Sequence, residues 1–190
     1  MALPLTSKQR AIQSAKFAIS QKPVFIDTET TGTDRGAEIV EITIIDSDGA
    51  VLLDSLVRPR KPIPADAMAI HHITNEMVAK APPFPTLWPT IRGHLYGKMV
   101  ATYNADFDYR MLQQSLVQYG FRWQDQLKMF CVMKLYAEFR GESGSRPGSY
   151  RLFSLDAAGR AAKIAIPNSH RAKDDTLLAR ELLQYIANQA

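Results

Sequence analysis

Cysteine and long apolar runs are both scarce in this sequence. Among 190 residues there is one cysteine, Cys131, which cannot form a disulfide within the chain. No segment has the roughly 18 apolar, uncharged residues that a membrane-spanning helix needs. The N-terminus lacks the continuous apolar core of a secretory signal. These absences argue against a membrane protein and favour a reducing, cytoplasmic setting.

The composition is that of a globular protein. Hydrophobic residues make up 46% of the chain and charged residues 22%, and the length suits one domain. The formal net charge of +4 would suit a polyanionic partner, although many proteins without such a partner are equally basic.

Hydrophobic patterning predicts an α/β domain. A leading helix is expected at 7–20, a strand at "VFI", and a hairpin where Asp48-Gly49 separates "EIVEITIID" from "VLLDSLVR". These segments would give three successive strands. Later segments mix helices and strands, as α/β folds do.

After the third predicted strand, helices, strands and loops are expected to follow one another. "KMVATY" reads as a strand and "KMFCVMKLYAEFR" as part strand and part helix. The proline-rich stretch before residue 86 has room only for short helices, and "GESGSRPGSYR" has the composition of a flexible loop. Ser154 is a candidate cap for a short helix. The other helices are expected at 86–95, 106–119 and 171–188.

The stretch "VFIDTETTG" runs from a buried strand directly into two acids, Asp27 and Glu29. Alternate residues of an extended chain point the same way, so the two carboxylates share a side. Like charges held close repel each other unless a cation joins them. The sequence therefore predicts something positive at this strand end.

The last predicted helix carries an acid on its apolar face. At helical spacing Asp175 falls on the stripe formed by Ala172, Ala179, Leu182 and Ile186. Its neighbour Asp174 falls on a wetter side, so we interpret it as a surface residue. An ionised Asp175 facing the core needs a metal, a cation or a proton.

The same test separates the two acids of "NADFDYRML". Asp108 shares a face with Leu112 and Ser115, whereas Asp106 lies four residues from Arg110 and is expected to pair with it. Asp108 is thus predicted to point inward and Asp106 toward water. Three distant segments each send acids to the interior.

Such acids suggest a site for hard cations. Oxygen-only ligands suit Mg²⁺ or Mn²⁺ better than zinc, and two ions roughly 3.5–4 Å apart are a common solution for cleaving phosphodiesters. The structural alternative is that Asp108 and Asp175 cap helices or accept hydrogen bonds from backbone amides. His170, five residues before Asp175, could serve as general base, or simply as a histidine at the helix start.

These motifs resemble those of the DEDDh branch of the DEDD exonucleases, which includes the proofreading epsilon subunit of bacterial DNA polymerase III. The matching segments are "FIDTETTG", "YNADFD" and "HRAKDD", in the family's order, together with "AIHHIT". The resemblance covers about residues 23–188. Tyr103 departs from it, because epsilon-like sequences often have His there.

The resemblance implies a ribonuclease H-like fold, with a mixed central sheet flanked by helices, in an exonuclease domain at 23–190 behind a helical extension at 1–22. It implies 3′ to 5′ removal of nucleoside 5′-monophosphates. Two Mg²⁺ or Mn²⁺ ions would be held by the four acids of the motifs, with a histidine as general base. The residues in these roles are Asp27, Glu29, Asp108, Asp175 and, as the base, His170.

The resemblance also suggests substrate contacts. By motif position, Thr30 and His71 would lie against the terminal nucleotide, with Asp66 a weaker candidate and Asn104 in support. A zinc site at His71 and its neighbour is the alternative there, but adjacent histidines rarely bind one ion well.

Several questions of substrate and partner stay open at this level. The 3′ end of single-stranded DNA is the favoured substrate, RNA is possible because relatives with these motifs trim RNA, and a catalytically idle nucleic-acid-binding module is a further alternative. A polymerase partner is possible but not indicated. Basic residues that could follow a phosphate backbone lie at 58–61, Arg146, Arg151, Arg171 and Lys173.

Overall fold

The computed structural model describes residues 4–190, which build one mixed sheet with helices on both faces. The strands are β1 (Val24–Thr30), β2 (Ile39–Ile45), β3 (Val51–Leu56), β4 (Met99–Thr102) and β5 (Lys128–Cys131). Their order is β3-β2-β1-β4-β5. The pairs β1–β2 and β2–β3 are antiparallel, and β1–β4 and β4–β5 are parallel. The predicted mixed sheet is confirmed.

The helices agree with the sequence pattern to within a few residues. They are α1 (Ser7–Ser20), α2 (Ala65–His71), α3 (Asn75–Val78), α4 (Phe84–Leu95), α5 (Ala105–Val117), α6 (Val132–Arg140), α7 (Leu155–Ala161) and α8 (Ala172–Ala187). The proline-rich stretch holds only the short α2 and α3, as predicted. The ambiguous segment before residue 141 divides into β5 and α6.

Two helical layers cover the sheet, one on each face, and the side chains of β1 point alternately toward one layer and the other. Phe25 packs in the core formed with α1, α6, α7 and α8. Val24 and Ile26 pack in the core formed with α4 and α5. Because side chains alternate along a strand, the residues that continue β1 are sorted in the same way between the α8 face and the α5 face.

Close packing of α7 on α8 depends on a glycine. A Cβ atom added at Gly159 would lie 2.9 Å from Leu178 Cδ1, closer than carbon atoms pack. Ser154 caps α7, as predicted, by accepting a hydrogen bond from the Ala157 amide at 3.2 Å.

The segment predicted as a flexible loop is a hydrogen-bonded hairpin. Ser143 and Tyr150 form an antiparallel bridge, and the Gly144 amide donates to Ser149 O at 2.9 Å. At the tip the Ser149 amide donates to Arg146 O at 3.0 Å. Gly148 there has φ of 75°, which favours glycine.

Within residues 4–190 no helix combines the length and apolarity needed to cross a membrane.

Candidate active site

The acids of β1 lie where the strand leaves one of its neighbours. β1 pairs with β4 only at Val24 and Phe25, so the second half of the strand is open on that side. Asp27 and Glu29 follow Phe25 at alternate positions and are partly buried. They therefore share the α8 face, as predicted, and border the opening.

Asp175 reaches the same place from the first turn of α8. It is buried, as are the four apolar residues predicted to share its stripe. Its carboxylate accepts hydrogen bonds from Asn168 Nδ2 at 3.0 Å and from the Ser169 amide at 3.2 Å. Asp174 is partly buried rather than fully exposed, and it accepts from Ser169 Oγ at 2.7 Å.

Three of the predicted acids come together closely enough to share an ion. One carboxylate oxygen each from Asp27, Glu29 and Asp175 lies within 4.8 Å of the others. This donor set consists of oxygen alone, which fits Mg²⁺ or Mn²⁺.

Asp108 approaches from the α5 face and is held by threonines. Its two oxygens accept from Thr28 Oγ1 at 2.9 Å and from Thr102 Oγ1 at 2.5 Å. Thr28 lies between the two acids of β1, so Asp108 comes close to Asp27 although it stays outside the group of three. Its predicted inward direction is confirmed by an exposure of 3%.

The prediction for Asp106 was half right. Its side chain is exposed, but it pairs with Lys134 at 2.6 Å rather than with Arg110. Arg110 instead donates to Thr33 O at 3.0 Å. Asp106 therefore pairs with a residue of another helix, α6, instead of with the residue four positions along its own helix.

A cavity of about 190 Å³ joins the acids to the other predicted groups. Its lining includes all four acids together with Asn104 and His170. His170 is exposed and has φ of 53°, a backbone conformation rare for a residue with a side chain. It lies five residues before Asp175, just ahead of α8, and lines the cavity.

Crowding and burial favour the protonated forms of the carboxyl groups when no cation is present. Burial, reinforced by Asp108 and Glu29, raises the pKa of Asp27 well above its usual value. Burial and then Asp175 raise the pKa of Glu29 to about 8. Burial also raises the pKa of Asp175 to about 7, against the lowering effect of the Ser169 amide. The pKa of Asp108 rises only to about 6, because the hydroxyl groups of Thr102 and Thr28 oppose the effect of burial.

A second cavity, of about 410 Å³, adjoins the first and contains the remaining predicted residues. Thr30, Asp66 and His71 line it, and Thr28, Glu29 and Phe107 line both cavities.

Within this second cavity His71 is buried and polar contacts are few. Its Nδ1 accepts from the Ile73 amide at 3.0 Å, whereas Nε2 has no hydrogen-bond partner among residues 4–190. Burial lowers its pKa. Its neighbour His72 is exposed, so the two histidines occupy different environments.

Glu41 is a residue of this region that sequence reasoning missed. It lies opposite Glu29 on β2 and is buried. Its carboxylate accepts from Arg171 Nε at 3.1 Å and from the Ala172 amide at 2.9 Å. Glu41 thus ties the start of α8 to the sheet, between His170 and Asp175.

Arg171 was grouped with residues that could follow a phosphate backbone, but it is bound to Glu41. The one signal in the sequence was a glutamate inside an apolar strand, "IVEITII". A buried glutamate needs a positive partner.

A mixed sheet of this order, with clustered acids at the open end of its first strand, defines the class of ribonuclease H-like nucleases. The RNase_T family model, described as an exonuclease, matches residues 24–183. The chain belongs to this exonuclease family, as its motifs predicted.

Individual relatives and solved structures agree with this assignment. An uncharacterized exonuclease, CP81, of Escherichia phage 186 is 40% identical over 92% of this chain and 93% of its own length. Exodeoxyribonuclease 10 of Escherichia coli K12 is 42% identical over 47% of this chain and 40% of its own length. The structure of Exonuclease X in complex with 5′ overhanging duplex DNA aligns with a TM-score of 0.61 and 31% identity, over 85% of this chain and 89% of that one.

Proposed function

We propose that this exonuclease removes nucleoside 5′-monophosphates from the 3′ end of DNA by hydrolysis that requires two Mg²⁺ or Mn²⁺ ions. The observation that carries the proposal is the gathering of Asp27, Glu29 and Asp175 within 4.8 Å, with Asp108 and His170 on the same cavity. Carboxylates this close are stable in their ionised form only beside cations.

The acids fit the role of metal ligands. Asp27, Glu29 and Asp175 would hold an ion between them, and Asp108 would complete the site from the other face of the sheet. Bound divalent ions supply a lower pKa for the attacking water and stabilise charge on the departing 3′ oxygen. The raised pKa values of Glu29 and Asp175 mean that a cation must displace protons near neutral pH, so binding would strengthen as pH rises.

His170 would take the proton from the attacking water. It lines the cavity of the acids and also a neighbouring cavity of about 540 Å³ that opens beside Ser154 and Asp156. Its exposure leaves room to release that proton to solvent. The Glu41–Arg171 ion pair and the Asn168–Asp175 hydrogen bond fix the backbone on either side of it.

The second cavity would take the terminal nucleoside. It adjoins the acids, and its walls combine apolar surface from Ile70 and Phe107 with Thr30 and His71. The unpartnered Nε2 of His71 would find a partner in the substrate. Asn104, in the first cavity, would support the scissile end, and the exposed Asp66 would contact the nucleotide at the rim.

DNA is favoured over RNA because the relative from Escherichia coli is named an exodeoxyribonuclease and the structure of Exonuclease X contains duplex DNA. Single-stranded 3′ ends are the proposed preference. The protein is proposed to act in the cytoplasm, with residues 23–190 as the exonuclease domain and 1–22 as an extension whose helix α1 packs against α6 and α8.

The test is degradation of end-labelled strands by the purified protein. Matched single-stranded DNA and RNA are incubated with Mg²⁺, with Mn²⁺ and with a chelator. We expect a ladder shortening from the 3′ end, nucleoside 5′-monophosphate as product, faster loss of DNA and none with chelator. Shortening from the 5′ end, or activity that survives chelation, would overturn the proposal. Faster degradation of RNA than of DNA would change the proposed substrate from DNA to RNA.

A further inference from the structure

The hairpin between α6 and α7 encloses a cavity separate from the acids. This hairpin cleft, of about 750 Å³, is lined by Lys134 and Ala137 of α6 and by the residues at 143–146 and 149–152. Its size is in the range that accommodates small ligands.

The hairpin cleft is held in shape by contacts to other elements. Arg151 and Arg140 both pair with Glu142 at the base of the hairpin. From α1, Arg10 donates to Tyr150 OH at 3.2 Å and to Glu138 at 2.9 Å. The hairpin cleft is therefore a built feature, braced by α1.

The lining combines positive charge with flat or apolar surface. Lys134, Arg146 and Arg151 carry the charge, and two of them are paired, Lys134 with Asp106 and Arg151 with Glu142. Arg146 is exposed, and its side chain has no ion-pair partner among the described residues. Tyr150 is half-buried and Leu152 is 54% exposed. Cations beside such surface are the pattern that binds a single nucleic-acid strand, with phosphates on the cations and bases on the flat side chains.

The hairpin cleft leads toward the acids from its Leu152 end. Leu152 is two residues from Ser154, a distance of at most about 7 Å. Ser154 borders the cavity of about 540 Å³, whose Asn168 and His170 also line the cavity of the acids. A strand whose 3′ end lay among the acids could continue past His170 and Ser154 into the hairpin cleft.

We propose that the hairpin cleft binds nucleotides of the substrate strand on the 5′ side of the cleaved nucleotide, with Arg146 on a backbone phosphate. This inference rests on the proposed function for the direction of the strand. It makes the hairpin a determinant of affinity for long strands rather than of the chemical step.

The test compares Arg146→Glu with Arg122→Glu. Arg122 is exposed and follows the C-terminal end of α5, an end that lies about 14 Å along the helix from Asp108. Both changes reverse one arginine charge, so the overall charge of the two variants is equal. Arg146→Lys, which keeps the charge, is the conservative variant.

Binding is measured in Ca²⁺ by fluorescence anisotropy for a dinucleotide and a single-stranded dodecamer. We expect Arg146→Glu to weaken dodecamer binding roughly tenfold relative to Arg122→Glu, in line with loss of a charged hydrogen bond. Dinucleotide binding should not change. The slope of log affinity against log salt concentration for the dodecamer should become shallower by about one. Arg146→Lys should restore most of the affinity.

Hydrolysis of the 4-nitrophenyl ester of thymidine 5′-monophosphate in Mn²⁺ separates the two proposals. This small substrate reaches the acids without entering the hairpin cleft, so Arg146→Glu should hydrolyse it at the wild-type rate. The proposal that the hairpin cleft binds the strand would be refuted if Arg146→Glu and Arg122→Glu bound the dodecamer equally well. It would also be refuted if Arg146→Glu lost ester hydrolysis in parallel with dodecamer binding. Failure of the wild type to hydrolyse the ester and the dodecamer would count against the proposed function, while the binding comparison still decides the hairpin cleft.

Discussion

Replacing Glu29 by glutamine should stabilise the protein when divalent cations are absent. The pKa of this carboxyl is about 8 in the folded chain against an ordinary 4.5, first through burial and then through repulsion from Asp175. Its raised pKa means that the folded state prefers the protonated form. The free-energy cost of ionising Glu29 in the folded state is therefore absent below pH 4.5 and grows as pH rises toward 8.

The size of the effect follows from that difference. Each pKa unit is worth about 1.4 kcal/mol, so an ionised Glu29 at pH 8 costs up to about 4 kcal/mol, and about 1 kcal/mol at pH 5. Because water reaches part of the side chain and Asp27 can hold the proton instead, the expected gain at pH 8 is about 1–3 kcal/mol. For a chain of this size that is a rise in Tm of about 2–12 °C.

Thermal unfolding in chelator at pH 5, 6.5 and 8 measures the gain. The matched control is Glu76→Gln, because Glu76 is exposed and the Thr74 hydroxyl lowers its pKa. That variant should gain nothing as pH rises. A Glu29→Gln protein that is no more stable than wild type at pH 8, or whose gain does not depend on pH, would refute the electrostatic reasoning.

Three further predictions concern the other residues of the site. Asp108→Asn and Asp175→Asn should each lower kcat on DNA by several orders of magnitude while circular dichroism stays unchanged; rates near wild type in either would contradict their role. His170→Ala should lower kcat far more than it changes KM, and steady-state kinetics showing only a raised KM would exclude it as the base. Arg171→Met leaves the buried Glu41 with only the Ala172 amide as partner and should cost about 1–3 kcal/mol in urea unfolding, as for a buried polar group that loses a hydrogen bond. Arg160→Met, which breaks an exposed pair with Asp156, should cost under about 1 kcal/mol. Equal losses of unfolding free energy in the two variants would show that the Arg171–Glu41 pair stabilises the fold no more than an exposed pair does.

The sequence predicted those features that depend on local periodicity. Alternation along β1 placed Asp27 and Glu29 together, and helical spacing placed Asp108 and Asp175 inward. The Asp48-Gly49 pair correctly predicted the antiparallel hairpin of β2 and β3, whereas the mixed sheet as a whole was implied by the family resemblance. Each of these needs only the geometry of one element and its immediate neighbours.

Contacts between distant segments were not predictable in this way. Asp106 has an arginine four residues away, yet it pairs with Lys134 of α6, whose position is set by the packing of α6 against α1 and α8. Glu41 and Arg171 are far apart in sequence, and only the placement of α8 on β2 brings them together.

The hairpin shows the limit of reading composition alone. Its Gly, Ser and Pro residues predicted flexibility, whereas the Ser143–Tyr150 bridge and the contact from Arg10 give it a defined shape. Glycine and proline at the tip satisfy a tight turn instead of loosening the chain. A partner on α1, outside the segment that matches the family model, could not be anticipated from the hairpin's own residues.

The most direct test of the account is anomalous diffraction from crystals grown with Mn²⁺ and thymidine 5′-monophosphate. The account predicts manganese peaks bound by Asp27, Glu29 and Asp175, with the nucleotide phosphate beside them. Ordered nucleotide with no manganese at these carboxylates, or side chains moved apart, would contradict it.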